Sequence, residues 1–160
     1  MRAYEIIYRR FEQPLLSMGL RMLGRREDAE DAVQMTFLKL YRSIGKFRFD
    51  SKFSSYLFRI MLNVCFDLIK KRTGEKSGKR EVDNAPHQPA VELRLQLDEA
   101  IRALPERMRA CFVLFAVEEL KQDEIAEMLN MRLGTVKAHI FQAKARLRAL
   151  LTDAPSEVTT

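Results

Sequence analysis

Apolar side chains recur at spacings of three and four along most of the chain, and nowhere does a useful length alternate as a strand would. From Tyr4 to Leu23, the positions Tyr4, Ile7, Phe11, Leu15 and Met18 share one side of a helix. Pro14 is expected to bend or interrupt it, and Gly24 to end it. A second helix is predicted over 27–44. Glu27, Asp28, Glu30 and Asp31 crowd its first turn, where carboxylates suit the positive end of the helix dipole, and Ala29, Val33, Phe37, Leu40 and Ile44 face inward. A third, from Tyr56 to about Arg72, is capped by Ser54 or Ser55 and turns Leu57, Ile60, Val64 and Leu68 inward. It closes on Lys70, Lys71 and Arg72, cations at the negative end of the dipole.

Helical periodicity resumes at Val91 and runs through Leu93, Leu97, Ala100, Ile101 and Leu104. Pro105 opens another helix at its first turn, and the dense run CFVLFAV within Arg107 to Leu120 reads as a buried centre. A short helix with Ile125, Ala126 and Leu129 inside ends at Asn130. The turn Met131-Arg132-Leu133-Gly134 then leads to Thr135, the expected cap of a longer helix whose inward face is Val136, Ile140, Ala143 and Leu147. Helix, short turn and second helix form the layout of a helix-turn-helix, whose second helix enters the DNA major groove. The expected fold class is all-α: two small helical domains joined by a flexible linker, the second containing the helix-turn-helix.

Composition sets the boundaries. Residues 1–72 hold 15 basic and 8 acidic residues, and residues 92–160 hold 10 and 11. Between them, 73–91 carries 3 of each, two prolines and two glycines, with almost nothing bulky and apolar to offset the entropy of ordering. The expected domains are therefore 1–72 and 92–151, with 73–91 as the linker and 152–160 as a frayed tail. The net charge of +6 makes nucleic acid a plausible partner without establishing one. Cys65 and Cys111 lie far apart in apolar segments, so no disulfide framework is expected and a reducing cytoplasm is the default. The charged start is unlike a signal peptide, and Arg59, Asn63 and Asp67 interrupt the most apolar run, arguing against a membrane span. With no metal-ligand spacing, phosphate-cradling loop or nucleophile frame, no enzyme, cofactor or metal is expected.

Charge placement is more informative than its sum. Residues 132–148 hold five basic residues and no acid, whereas 91–131 hold five basic and nine acidic ones. On the proposed recognition helix Ala138, Gln142 and Ala145 face outward. Lys137, Lys144 and Arg148 flank them on one side, and Thr135, His139 and Arg146 on the other. Small residues allow close approach to the groove floor, cations meet phosphates, and Gln142 has the geometry to read an adenine edge. In the first domain, KFRFDSKFSSY interleaves aromatic and basic residues as single-strand binders do, rings stacking on bases and cations tracking phosphates. Phe47, Phe49 and Phe53 could equally anchor that loop to the core. Tyr56, Arg59, Asn63, Phe66 and Lys70 cluster opposite the core face of the third helix, and this stripe is open to the same two readings, DNA-facing or simply solvated. The second helix presents Glu27, Asp31, Gln34 and Leu38, a stripe suited to a protein partner or to plain solvent.

Together, DAEDAVQMTFLKLY at 28–41, FSSYLFRIMLNVCFDLIKKR at 53–72 and DEIAEMLNMRLGTVKAHIFQAKARL at 123–147 resemble a bacterial sigma factor of the extracytoplasmic-function group, over roughly 5–72 and 92–151. The resemblance implies a sigma-2 module followed by a sigma-4 module. It implies that Asp28, Asp31, Gln34 and Leu38 dock on the β′ clamp helices of core RNA polymerase. Lys46, Phe47, Arg48, Phe49, Lys52, Phe53, Tyr56, Arg59, Asn63, Phe66, Lys70 and Lys71 would bind and melt the minus-10 element, capturing a flipped base. Arg132, Thr135, Lys137, Ala138, His139, Gln142, Lys144 and Arg146 would bind the minus-35 element, while the module also sits on the β-flap. Promoter DNA and an anti-sigma factor are the further implied partners, with no membrane insertion. Met35 stands where an acid is usual, Tyr56 where tryptophan is frequent, and Ala138, His139 and Gln142 where Ser, Arg and Arg are common, so promoter preference is not transferable. The alternative is a LuxR-type regulator that binds duplex DNA without being a polymerase subunit. Against it, the first domain lacks a receiver or ligand-pocket pattern.

Overall fold

The computed structural model describes residues 2–48, 52–74 and 89–152 of the chain. Most of the expected linker and all but the first residue of the expected tail lie outside these described residues. The described elements are helical and fall into two units, each with its own core.

The N-terminal unit contains α1 (Arg2–Leu23), α2 (Arg26–Ser43), a single 3₁₀ turn at Ile44–Lys46 and α3 (Phe53–Gly74). Gly24 adopts φ 82°, a left-handed conformation that glycine enters without penalty, and the chain reverses there between α1 and α2. Pro14 does not break α1, which is continuous around it. Each helix packs on the other two. Leu15, Met18 and Met22 of α1 meet Ala29, Ala32, Val33, Phe37 and Leu40 of α2 and Leu57, Met61, Val64 and Cys65 of α3, all buried. Gly19 lies where a Cβ would stand 2.8 Å from Met61 Cε and 3.1 Å from Ala29 Cβ, so its missing side chain lets the three helices converge. The buried Thr36 hydroxyl donates to the Ala32 carbonyl at 2.7 Å, with the Met61 sulfur 3.1 Å away.

Because α3 packs on both α1 and α2, its buried arc is wider than one stripe. It adds Phe58, Leu62 and Phe66 to the expected face and leaves Ile60 and Leu68 half-exposed. Phe66 is therefore core, a correction to its expected place on the DNA-facing stripe. The helix also starts at Phe53, which puts Ser54 and Ser55 inside the first turn instead of at the cap. Ile44 is exposed because α2 has ended one residue earlier.

The C-terminal unit contains α4 (Pro89–Arg102), α5 (Glu106–Ala116), α6 (Gln122–Leu129) and α7 (Leu133–Thr152). Both α4 and α5 pack on α7, burying Ala100, Ile101 and Leu104 with Met108, Cys111, Val113 and Leu114 against Val136, Ile140, Ala143 and Leu147. Leu93 and Leu97 continue the α4 stripe but are exposed. Burial pushes the Cys111 thiol up to about 11, which leaves it protonated and inert at neutral pH. Asn130, at φ 52°, supplies the left-handed residue that ends α6, and the Met131 N–H donates back to the Ala126 carbonyl at 2.9 Å. The turn is thus Asn130-Met131-Arg132. Gly134 and Thr135 already belong to α7, whose ladder begins with Val136 N–H donating to the Arg132 carbonyl at 3.1 Å. Thr135 is not the cap.

Candidate nucleic-acid and polymerase interfaces

The N-terminal unit brings four aromatic side chains into a ladder. Phe11 meets Phe53 edge-on at 5.8 Å between centroids, Phe53 meets Phe47 at 5.6 Å, and Phe47 tilts over Tyr56 at 5.0 Å. Such pairs each contribute roughly 1 kcal/mol beyond simple burial. The Tyr56 hydroxyl donates to Ser43 Oγ at 2.7 Å, which ties the start of α3 to the end of α2. Phe47, Phe53 and Tyr56 are half-buried, so they anchor the segment and still expose ring surface. Phe49 lies outside the described residues. Lys46, Arg48, Lys52, Arg59, Asn63, Lys70 and Lys71 are exposed.

Tyr56, Ile60 and Asn63 of α3 form one side of a groove of about 370 Å³, with Lys39, Arg42 and Ser43 of α2 opposite. The groove combines an apolar floor and an aromatic wall with two cations and an amide. The Lys39 ammonium also lies 3.9 Å from Asp67, an exposed contact worth little energetically. Lys39, Arg42 and Ser43 belong to neither the inward face nor the acidic stripe by which the sequence defines α2, and so were missed. Their signal is the pair of cations, Lys39 and Arg42, near the C-terminal end of α2.

On α2, Asp31, Gln34 and Leu38 are exposed as expected. Asp28 is not part of that open stripe. It is half-buried in an ion pair with Arg72, whose guanidinium also donates to the Leu23 carbonyl at 3.3 Å. Burial, and then the neighbouring Arg25, lower the Arg72 pKa. This arrangement joins the end of α1, the start of α2 and the end of α3. The open face instead gains Met35 and Tyr41, the latter 67% exposed and edge-on to Tyr4 at 6.1 Å.

In the C-terminal unit α7 keeps the four expected residues buried and presents Thr135, Lys137, Ala138, Gln142, Lys144 and Arg146 to solvent, with His139 half-buried and Arg132 exposed on the turn before it. Lys144 Nζ sits 4.8 Å from the centre of the Phe115 ring, so part of its position is set by a cation–π contact. Phe141 is the residue the sequence reading overlooked. It is 75% exposed beside Lys137 and Ala138. Its neighbours in an inward-looking pattern, Ile140 and Ala143, concealed it.

Comparison with known proteins agrees with this two-part arrangement. The sigma-70 region 2 family model matches residues 7–75, and the sigma-70 region 4 model matches residues 94–147. The chain is 31% identical to the ECF RNA polymerase sigma factor SigW of Bacillus subtilis, over 89% of this chain and 86% of that one. It is also 31% identical to the ECF sigma factor SigM of Mycobacterium tuberculosis, over 93% and 77%. Among solved structures, CnrH in complex with the cytosolic domain of CnrY is similar at a TM-score of 0.72 and 28% identity, covering 96% of this chain and 90% of that one. The sigma factor RpoE in complex with the anti-sigma factor NepR from Bartonella quintana shares the fold at a TM-score of 0.82 and 21% identity, covering 97% and 100%. Among the described residues no helix is long and apolar enough to cross a membrane.

Proposed function

Because the chain belongs to the extracytoplasmic-function group of sigma-70 factors, and so directs RNA polymerase to promoters, we propose that its two units divide the work of promoter recognition and melting. The N-terminal unit takes the minus-10 element, and the groove between Tyr56 and Arg42 receives a base flipped from the melted strand. A flipped base needs an apolar slot, a stacking wall and a hydrogen-bonding edge. The groove offers Ile60, Tyr56 and Asn63, with Lys39 and Arg42 placed for phosphates. The observation that carries this reading is that ring-walled, cation-edged groove, which duplex binding alone would not require.

The face of α7 reads the minus-35 element in the major groove. Gln142 and Phe141 meet base edges and Lys137, Lys144 and Arg146 meet phosphates. Asp31, Gln34, Met35 and Leu38 dock on the β′ clamp helices, and the C-terminal unit rests on the β-flap. Asp28 is assigned to the fold instead of the clamp. An anti-sigma protein is the proposed regulator, by extension from the RpoE complex with NepR. The proposed compartment is the cytoplasm, where polymerase and promoters meet. Two family models in order weigh against the LuxR-type alternative, which explains only the second unit.

The test mixes the purified chain with core RNA polymerase and genomic promoter DNA, and follows core binding and open-complex formation by permanganate reactivity. Capture by core with unpaired thymines at minus-10 is expected. Tight binding to duplex DNA without capture by core would overturn the assignment.

A further inference from the structure

The sulfur atoms of the chain are sorted sharply by accessibility. Among the described residues, Met18, Met22, Met61 and Cys65 are buried in the N-terminal unit, and Met108, Cys111 and Met128 are buried in the C-terminal one. Met131 is half-buried, its sulfur 4.0 Å from the Cys111 thiol. Met35 on α2 stands apart from all of these at 42% exposed. We propose that Met35 is a reversible oxidation site, and that its conversion to methionine sulfoxide by a peroxide weakens the docking of α2 on core RNA polymerase. This regulation rests on the reading of the α2 face as the core-docking surface.

Oxidation selects by access and by nucleophilicity. A thiolate would ordinarily be the faster target, but neither cysteine competes. Both are buried, and burial pushes the Cys111 thiol up to about 11, so it stays protonated. Among the described sulfurs, a peroxide therefore meets the Met35 thioether first. The sulfur lone pair attacks one peroxide oxygen and the O–O bond breaks. The hydroxide that leaves collects the proton from the transferred oxygen. One thioether and one hydrogen peroxide thus give one sulfoxide and one water, the sulfur losing the two electrons that the peroxide gains.

Position gives the added oxygen its effect. At about 100° per residue, Leu38 lies between Met35 and Tyr41 around the helix, on the same open arc as Asp31 and Gln34. Leu38 and Tyr41 are 50% and 67% exposed, so the arc carries three apolar side chains with two polar ones among them. A thioether in such a patch is held by dispersion and by the release of water. A sulfoxide brings a strong acceptor oxygen, which costs desolvation free energy wherever the docked surface leaves it unpaired. Because Met35 lies outside the core, its oxidation acts on docking and leaves the unit folded. Oxidation of Met18, Met22 or Met61 would do the opposite.

In the experiment the full chain is treated with hydrogen peroxide, sulfoxides are located by mass spectrometry, and affinity for core RNA polymerase is read by competition. Sulfoxide is expected at Met35 ahead of Met131 and the buried methionines. Core affinity should fall roughly tenfold, the size of leaving one polar oxygen unpaired, with no change in unfolding temperature. Methionine sulfoxide reductases A and B with a dithiol, which together reduce both sulfoxide epimers, should restore it. Met35→Leu, compared with itself before and after peroxide, should show no fall. Complete oxidation of Met35 with unchanged affinity would overturn the proposal. So would an equal loss in Met35→Leu, which would place the effect on another sulfur. Failure of core to capture even the untreated chain would instead overturn the reading of the α2 face.

Discussion

The two units expose opposite kinds of surface. The N-terminal one is concave where it matters: a groove walled by Tyr56, whose ring is half-committed to holding the unit together. The C-terminal one is convex, a single helix with small residues at its crown, cations at its sides and one ring, Phe141, standing free of the core. A groove can hold a base only after the base has left its stack, whereas a convex helix of this width fits an intact major groove. The contrast teaches that shape, more than charge, separates the two proposed tasks, since both surfaces are basic.

The largest expected effect comes from removing the ladder's central ring. Phe47→Ala deletes two ring contacts, one of them the support behind the Tyr56 wall of the groove. Open-complex formation by the holoenzyme should fall about a hundredfold, while initial closed-complex affinity stays within a few-fold. Tyr56→Phe is the finer variant. It keeps the ring and loses the hydrogen bond to Ser43, so only about 1 kcal/mol of stability should go, with melting largely retained. Equal losses in both would mean that the hydroxyl, not the ring, sets the site.

On the convex side the effects reverse. Gln142→Ala or Phe141→Ala should cost about 1–3 kcal/mol of discrimination at one base pair of the upstream element, with the melting step of bound complexes unchanged. Lys137→Ala should weaken binding to all sequences alike and lower the salt slope by about one. Lys144→Ala should do the same and also destabilise the unit slightly, because its ammonium lies over Phe115. Melting defects from any α7 variant would break the division between the units.

These surfaces were not equally legible in the sequence. Helix α7 packs on one side only, so a single stripe of Val136, Ile140, Ala143 and Leu147 identifies its buried face, and its exposed polar residues follow by subtraction. Helix α3 is gripped from two sides, which periodicity cannot anticipate from one helix alone, and Phe66 was placed outside for that reason. The ring ladder and the groove beside Tyr56 depend on residues distant in the chain. The aromatic run at 46–56 announced stacking chemistry but not that Phe11 would complete it. Charge statistics were similarly blind to partners: Asp28 belonged to the same acidic first turn as Asp31, and only the arrival of Arg72 from the end of α3 distinguished them.

That distinction yields a prediction of intermediate size. Asp28→Asn should destabilise the N-terminal unit by roughly 1–3 kcal/mol, seen as a lower unfolding temperature by circular dichroism, because a part-buried guanidinium loses its counter-charge. Asp31→Asn should leave stability unchanged and weaken capture by core polymerase. The reverse assignment of losses would return Asp28 to the docking face.

The smallest effect concerns the turns of the C-terminal unit. Two residues other than glycine have positive φ there, Glu119 at 55° and Asn130 at 52°. Asn tolerates the left-handed region because its short amide can bond locally, whereas Glu has no such relief. Glu119→Gly should therefore raise the stability of this unit by up to about 1 kcal/mol, and Asn130→Gly by only a few tenths. Neither change touches the face of α7, so DNA affinity should not move with stability. If Glu119→Gly alters promoter binding, the turn after α5 positions the recognition helix, and the convex surface is less rigid than its packing on α4 and α5 implies.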